Sequence, residues 1–178
     1  KEVGAPITMV TAYDFPMAQC VDSAGIDIVL VGDSVGNVIL GYENTIDVTV
    51  DDICHHTKAV SRGVSRSLVL SDIPYLGHKH QSKLALQSVH RLLDSGATAI
   101  KCEVLLGQES YVMPLLSSEV PIVAHIGFTP QSVDVLGGYK VQGSEDASAQ
   151  ALCDLALLMQ DQGAFAVLVE MIPANLAK

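Results

Sequence analysis

The sequence predicts an α/β fold, a (β/α)8 TIM barrel of which about six strands lie within these 178 residues. Three observations support this prediction. Short runs rich in Val and Ile alternate with longer segments of helical period, a pattern typical of a parallel sheet. Glycine ends three of the predicted helices just before the next strand, and ionisable residues follow five successive strands. No G-x-G-x-x-G motif follows a strand, which argues against a dinucleotide-binding fold.

The predicted elements alternate along the chain. Strands are expected at 7–12, 28–32, 67–71, 99–102, 122–124 and 166–169, and helices at 16–23, 51–62, 82–94, 109–118 and 147–162. Thr49, with Asp52 three residues later, resembles a capping box at the start of the second helix. Pro114 should break or shorten the fourth helix, because proline lacks an N–H donor and clashes with the preceding turn. The three helix stops are Gly25, Gly96 and Gly163.

Composition argues against several classes of protein. Hydrophobic residues make up 49% of the chain, enough for the core of a single barrel domain over 1–178. Parallel barrel strands are buried on both faces, which accounts for this apolar content. Lys and Arg number 10 against 20 Asp and Glu, and the net charge of -10 argues against nucleic-acid partners. The most apolar stretch, 26–40, contains Asp27 and Asp33, so no membrane partner is expected.

Cysteine usage indicates the compartment. The four cysteines, Cys20, Cys54, Cys102 and Cys153, are scattered and form no C-x-x-C pair. We therefore expect a reducing, cytoplasmic location and a buried, uncharged thiol at each position. The first residues, 1–4, do not resemble a signal peptide.

Ionisable residues follow five of the predicted strands, at the point where each strand ends. They are Asp33, Asp72, Glu103, His125 and Glu170. The carboxyl ends of all strands in a (β/α)8 barrel converge on one face, so these side chains should meet there as an active site. An open doubly wound sheet would place chemistry only near its switch point, so five such strands favour the barrel.

Three of these residues are acids that would repel one another without a cation. Asp33, Asp72 and Glu103 offer only oxygen ligands, in a small number that suits Mg2+ and leaves positions open for water and substrate. The alternative is that they are solvated acids at strand ends. Lys101 lies two residues before Glu103 and should point to the same side of its strand. A buried lysine needs an anion, either a substrate carboxylate or a structural ion-pair partner such as Glu103 or Asp72.

Glu170 is the candidate proton acceptor. Its apolar surroundings in the sixth strand should raise its carboxyl pKa and suit it to proton abstraction. His125 is expected inward or at the mouth, as a supporting hydrogen-bonded residue. His55 and His56 lie on a helix without complementary ligand spacing, and His78, Lys79 and His80 should form a solvated loop.

Several motifs resemble one family in order along nearly the whole chain. They are 7–14 (ITMVTAYD), 31–34 (VGDS), 40–42 (LGY), 51–52 (DD), 56–60 (HTKAV), 127–132 (GFTPQS) and 137–143 (GGYKVQG). Together they resemble ketopantoate hydroxymethyltransferase, also called 3-methyl-2-oxobutanoate hydroxymethyltransferase. The segments at 127–132 and 137–143 are the most specific.

The resemblance implies a homo-oligomeric (β/α)8 enzyme of pantothenate biosynthesis. It implies that Mg2+ and 5,10-methylenetetrahydrofolate are used to add a hydroxymethyl group to 3-methyl-2-oxobutanoate, a small 2-oxo acid. Asp33, Asp72 and Glu103 fall on the family's magnesium positions. Asp33, Ser34, Asp72 and Lys101 fall on positions that bind the 2-oxo acid, and Glu170 falls on the proton acceptor. The implied mechanism is enolisation assisted by the metal.

Two features depart from the family pattern. Val104 and Leu105 stand where the family usually has a Gly-Gly pair, so the loop beside Glu103 should be less free to approach the metal. Six strands are two fewer than a barrel requires, and at a typical size of about 250 residues the last two βα units are expected to be missing. Two alternatives stay open. One is a Mg-dependent lyase or mutase of the related phosphoenolpyruvate and 2-oxo acid barrel group, which has a similar aspartate-lined magnesium site, and the other, suggested by these two departures, is a non-catalytic truncated barrel subunit.

Overall fold

A computed structural model describes residues 4–76 and 82–178, so the loop expected at His78, Lys79 and His80 lies outside the described residues. The strands are β1 (Met9–Thr11), β2 (Ile28–Val31), β3 (Leu68–Asp72), β4 (Ala99–Glu103), β5 (Ile122–Gly127) and β6 (Ala166–Glu170). The α-helices are α1 (Phe15–Ser23), α2 (Val50–Gly63), α3 (Ser82–Asp94), α4 (Met113–Leu116) and α5 (Asp146–Asp161). A π-helix (Gly36–Leu40) and two 3-10 turns (Glu109–Tyr111 and Pro130–Ser132) complete the set.

The chain divides into two compact units. The first comprises Lys1–Tyr75 and Gln87–Ile100, and the second comprises Leu76–Leu86 and Lys101–Lys178. Within the first unit β1 pairs in parallel with β2, and β2 pairs in parallel with β3, with Val31 opposite Ser71. Within the second unit β5 pairs in parallel with β6, with Gly127 opposite Glu170.

The predicted elements are present, with ends that differ by at most three residues. The weak helix predicted at 109–118 is split into a 3-10 turn and the short α4, and Pro114 lies in the first turn of α4, where its missing N–H costs least. The capping box at α2 is confirmed: the Thr49 hydroxyl accepts the Asp52 N–H at 3.2 Å, and the Asp52 carboxylate accepts the Thr49 N–H at 2.9 Å.

Glycine ends the three helices as predicted. Gly25, Gly96 and Gly163 have φ values of 86°, 102° and 95°, in the left-handed region that side chains with a Cβ disfavour. Each glycine therefore stops a helix and lets the chain enter the next strand directly.

Burial of the strands is less uniform than the composition suggested. Nearly all of β3 and all of β4 and β5 are buried, as expected. The expectation fails for β1, whose three residues are exposed, and for β6, which is exposed or half-buried throughout. Among the described strands, β1 and β6 are the two end strands of the order β1-β2-β3-β4-β5-β6, so each has a neighbouring strand on one side only.

The four cysteines differ in burial. Cys54 and Cys102 are buried as predicted, but the expectation of burial fails for Cys20, which is exposed, and for Cys153, which is only partly buried. None of the helices described within residues 4–76 and 82–178 has the length and apolar character that crossing a membrane requires.

A carboxylate at the end of α1 fixes the entry of β3. The Asp22 carboxylate accepts the backbone N–H groups of Ser65, Arg66 and Ser67 at 2.7 to 3.1 Å, and the hydroxyls of Ser65 and Ser67 as well. These hydrogen bonds, that of the Ser67 hydroxyl above all, hold the pKa of Asp22 well below its usual range. β3 starts at the next residue and ends in Asp72, so Asp22 anchors the strand that carries a predicted site residue.

We expect Asp22→Asn to lower the urea midpoint of unfolding at neutral pH, because the amide offers one acceptor oxygen and no charge. The pKa of Asp22 is lower in the folded protein than in the unfolded protein, where it is about 3.9, so the ionised carboxylate stabilises the fold above that pH. This stabilisation is lost as the pH falls towards the folded-state pKa. The difference between the proteins should therefore be full above about pH 5 and shrink below about pH 3.9. Asp47→Asn, at an exposed aspartate, should not change the midpoint above pH 5 or below pH 3.9. A difference in urea midpoint that does not change with pH would contradict the lowered pKa of Asp22.

Candidate active site

Two buried aspartates adjoin at the carboxyl ends of β2 and β3. The backbone N–H of Asp33 donates to Oδ2 of Asp72 at 2.9 Å, and only 4% and 2% of the two residues are exposed. Gly32 leaves the space for this approach, since a Cβ there would lie 3.3 Å from that Asp72 oxygen and 3.1 Å from Oγ of Ser34. The structure thus brings together the three residues that the sequence placed at these two strand ends.

Tyr13 is a site residue that the sequence analysis missed. Its hydroxyl lies 2.6 Å from Oγ of Ser34, and its carbonyl oxygen accepts a hydrogen bond from Nδ1 of His56 at 2.7 Å. His56 therefore has a structural partner, and Tyr13 positions the Ser34 hydroxyl. The position of Tyr13 just after β1, at the same end of the sheet as Asp33 and Asp72, could have identified it. It was missed because only ionisable residues at strand ends were considered, and tyrosine carries no charge at neutral pH.

The second group of site residues surrounds Glu103 at the end of β4. Oε2 of Glu103 accepts the backbone N–H of Gln131 at 3.0 Å, and its carbonyl oxygen accepts the Tyr111 hydroxyl. Burial, followed by the proximity of Cys102 and Glu103, raises the pKa of Tyr111 well above its usual value. Gln131 belongs to the motif at 127–132, so this motif supplies a backbone donor to a predicted site residue.

His125 lies at the centre of the second group. Its Nδ1 is 3.4 Å from Nζ of Lys101 and 3.8 Å from Oε1 of Glu103, and its Nε2 is 3.1 Å from Oε2 of Glu170. Lys101 and Glu103 both contact the ring, as the alternation along β4 predicts. His125 is 2% exposed. It therefore contacts three of the predicted site residues.

The predicted pKa shift of Glu170 was wrong in direction. The hydrogen bond from His125, and then the charges of His125 and Lys101, lower the pKa of Glu170 in spite of a desolvation effect that raises it. The strand around Glu170 is apolar, but 43% of the Glu170 side-chain surface is exposed, and the polar side chains that act on it are His125 and Lys101. Glu170 is therefore held as a carboxylate.

The main chain of Glu170 is fixed by Gly127. The Phe128 N–H donates to the Glu170 carbonyl at 2.8 Å, and Gly127 has a φ of 88°. A Cβ on Gly127 would overlap that carbonyl and lie 3.0 Å from Cγ2 of Ile172. Only glycine permits this contact between the ends of β5 and β6.

The carboxylate oxygens of the first group of site residues, Asp33 and Asp72 with Ser34, suit a hard divalent cation. Asp33 and Asp72 are buried carboxylates, and Mg2+ is usually bound by one or two carboxylates together with waters and substrate oxygens. Across residues 4–76 and 82–178, no group of three or more His, Cys, Asp or Glu side chains stands ready to hold a metal ion. Glu103 as a third ligand stays a prediction.

The sequence of the chain is similar to those of one family of known proteins. The sequence model of the ketopantoate hydroxymethyltransferase family matches residues 1–178. The 3-methyl-2-oxobutanoate hydroxymethyltransferase of Geobacillus kaustophilus (strain HTA426) is 48% identical over 177 residues, which cover 99% of this chain and 63% of that protein. The chain thus spans less than two thirds of the length of this curated relative.

Two solved structures share the fold. Phosphonopyruvate hydrolase in complex with oxalate and Mg++ superposes with a TM-score of 0.67 at 14% identity, over 94% of this chain and 59% of that one. A 2,3-dimethylmalate lyase, a PEP mutase/isocitrate lyase superfamily member, superposes with a TM-score of 0.60 at 16% identity, over 96% and 59%. At these identities the likeness shows the fold alone, and it confirms the predicted (β/α) barrel class.

Gly127→Ala tests the contact beneath Glu170. The positive φ costs an alanine about 1–2 kcal/mol, and overlap with the Glu170 carbonyl adds about 1–3 kcal/mol. We expect a corresponding loss in the free energy of unfolding, measured by urea titration. Gly107→Ala is the matched control, because Gly107 has a φ of 81° with open space around a Cβ. Gly107→Ala should lose only the free energy that the positive φ costs. Equal losses in the two variants would refute the close contact between Gly127 and the Glu170 carbonyl.

Proposed function

Because the chain belongs to the ketopantoate hydroxymethyltransferase family, we propose that its protein transfers a hydroxymethyl group from 5,10-methylenetetrahydrofolate to 3-methyl-2-oxobutanoate. The product is 2-dehydropantoate, an intermediate of pantothenate biosynthesis. The activity is proposed for the whole protein, since the chain spans 63% of the relative's length.

One observation carries the proposal. The ionisable residues predicted at the site lie in two groups at strand ends, the first connected by a hydrogen bond and the second by close polar contacts. Asp33 donates to Asp72 in the first unit, and His125 contacts Lys101, Glu103 and Glu170 in the second. Buried charges at strand ends cost free energy unless they are paired or serve a ligand, so their concentration here favours a catalytic role.

We propose that Asp33 and Asp72, with Glu103, hold Mg2+. The bound ion would polarise the keto and carboxylate oxygens of the 2-oxo acid and acidify the neighbouring carbon. Lys101, which is 5% exposed, would bind the substrate carboxylate. Ser34, positioned by the Tyr13 hydroxyl, would donate a hydrogen bond to the same substrate.

Glu170 would then remove the proton from the carbon next to the keto group. Its partial exposure leaves a face open to substrate. Its lowered pKa keeps it ionised but makes it a weak base, so the proposed reaction depends on prior acidification of the carbon. Water would break the two bonds between the one-carbon unit and the folate nitrogens, which gives tetrahydrofolate and a unit at the oxidation level of formaldehyde. The enolate would attack the carbon of this unit, and the resulting alkoxide would take up the proton that Glu170 removed to become the hydroxymethyl group.

The two alternatives have less support. The hydrolase and lyase structures are 14% and 16% identical, which supports the shared fold and not a shared reaction. The non-catalytic alternative rests on Val104 and Leu105. Neither has a positive φ, and the Val104 N–H donates to the His125 carbonyl at 2.8 Å, so the local backbone does not need the Gly-Gly pair.

The proposal includes a cytoplasmic homo-oligomer. The absence of a C-x-x-C pair among the cysteines of this chain supports a reducing compartment, and the family resemblance supports self-assembly. Sedimentation velocity of the full-length protein would contradict the second part if it gave a monomer.

The function is tested by incubating the full-length protein with 3-methyl-2-oxobutanoate, 5,10-methylenetetrahydrofolate and Mg2+. We expect 2-dehydropantoate by mass spectrometry, and its loss when a chelator removes the metal. Oxaloacetate and phosphonopyruvate serve as substrates for the alternative activities. Cleavage of either without hydroxymethyl transfer would favour a lyase or hydrolase, and Mg2+ binding with no turnover would favour the non-catalytic subunit.

Glu170→Gln tests the proton acceptor. The amide keeps the size of the side chain but cannot take the proton, so kcat should fall by about 100-fold to 10,000-fold. Mg2+ affinity, measured by calorimetry, should change little. Glu119→Gln, at an exposed glutamate, is the control and should leave kcat unchanged. A near-normal kcat in Glu170→Gln would remove Glu170 from this role.

A further inference from the structure

An apolar cavity of about 250 Å3 lies beside the second group of site residues and has no part in the mechanism proposed above. Its walls come from the turn after β4, the end of β5, the loop that follows β5, and α5. Leu136, Leu152 and Leu155 line it. Leu106 and Val135 also line it, and they are 44% and 57% exposed, so the cavity opens to the surface at these two residues.

Two lining residues connect the cavity to the proposed proton acceptor. A Cβ on Gly127 would overlap the Glu170 carbonyl, and the Gln142 N–H donates to the carbonyl of the residue after Glu170 at 2.9 Å. Val104, which directly follows Glu103, lines the cavity as well. The cavity is therefore next to the strand ends that carry Glu103 and Glu170.

The lining of the cavity offers little to a polar ligand. Among the described residues that line it, only Gln142 and Ser148 have polar side chains. The Gln142 amide already donates to the Lys140 carbonyl at 2.9 Å, and the Ser148 hydroxyl donates to the Glu145 carbonyl at 2.8 Å. A ligand held here gains free energy from the burial of apolar surface, so we expect an apolar group.

The volume of the cavity suits a single ring. An apolar cavity of about 150 Å3 in a protein accepts benzene, whereas pockets of about 300–1,000 Å3 enclose whole drug-sized ligands. One substituted ring therefore fits within 250 Å3. The isopropyl group of 3-methyl-2-oxobutanoate is smaller than a ring and would leave most of this volume empty.

We propose that the cavity binds the aminobenzoyl ring of the folate cosubstrate, an inference that rests on the proposed function. In 5,10-methylenetetrahydrofolate the transferred carbon is bonded to N10, and N10 is bonded directly to the aminobenzoyl ring. A protein that takes up this carbon beside Glu170 must place the ring within a few bonds of the same point, where the cavity lies. The reduced pterin carries amide and amino groups that need hydrogen-bond partners, so it fits this lining less well.

The position of the ring is tested without any activity measurement. Tetrahydrofolate is the probe, because its only aromatic C–H protons belong to the aminobenzoyl ring. In the full-length protein with 13C-labelled leucine methyl groups, we expect nuclear Overhauser effects from these protons to the methyl groups of Leu136, Leu152 and Leu155. The methyl signals are identified by their loss in Leu136→Ile, Leu152→Ile and Leu155→Ile. Binding without these effects, or no binding, would overturn the proposal.

Leu155→Trp tests the same site by filling it. Leu155 is 3% exposed, so a larger side chain at this position should occupy the cavity. The Kd for tetrahydrofolate and the KM for 5,10-methylenetetrahydrofolate should rise about 10-fold to 100-fold, the factor that corresponds to burial of one aromatic ring. The KM for 3-methyl-2-oxobutanoate should not change. Leu157→Trp is the control, because Leu157 lies on the same helix, is 56% exposed and does not line the cavity.

The outcomes separate this proposal from the proposed function. A rise in the KM for 3-methyl-2-oxobutanoate alone, or equal effects of Leu155→Trp and Leu157→Trp, would overturn the ring site. If Leu155→Trp does not fold, the Overhauser effects in the natural protein decide. Overhauser effects without formation of 2-dehydropantoate would support the ring site and refute the proposed function. Formation of 2-dehydropantoate without Overhauser effects would support the function and refute the ring site.

Discussion

The parallel direction of the strands is the constraint on which the candidate active site depends. Because neighbouring strands run the same way, residues far apart in the chain reach the same edge of the sheet. Each helix must then return the chain to the opposite edge, and the positive φ of Gly25, Gly96 and Gly163 ends the helices in time to do so. Asp22 adds a fixed entry point for β3, so the position of Asp72 is determined from both ends of its strand.

Backbone donors make the buried carboxylates tolerable. Asp72 accepts the N–H of Asp33, and Glu103 accepts the N–H of Gln131. An ionised carboxylate without such partners would be too costly to bury. These donors come from the turns that follow the strands, so the residues of the turns hold the site residues in place. This explains why the motif at 127–132 matters although none of its side chains was predicted to act.

The surroundings of Glu170 show a balance between reactivity and position. A carboxyl group in a purely apolar place would be a stronger base, but it would be protonated more readily and oriented by nothing. Here the hydrogen bond from His125 outweighs desolvation and keeps Glu170 charged. Glu170 is therefore a weaker base with a more fixed side chain, and the proposed reaction depends on acidification of the substrate carbon.

The sequence by itself determined the order of strands and helices, the glycine stops, the capping box at Thr49 and the five ionisable strand ends, because these depend on local periodicity and backbone conformation. The family motifs also named Ser34, and the alternation along β4 placed Lys101 on the same side as Glu103. Only the tertiary structure decided the contact of Tyr13 with Ser34, the Gln131 donor to Glu103, the central place of His125 and the lowered pKa of Glu170. Each of these depends on distances between groups well separated in the sequence, and pairing across strands, not local pattern, sets such distances.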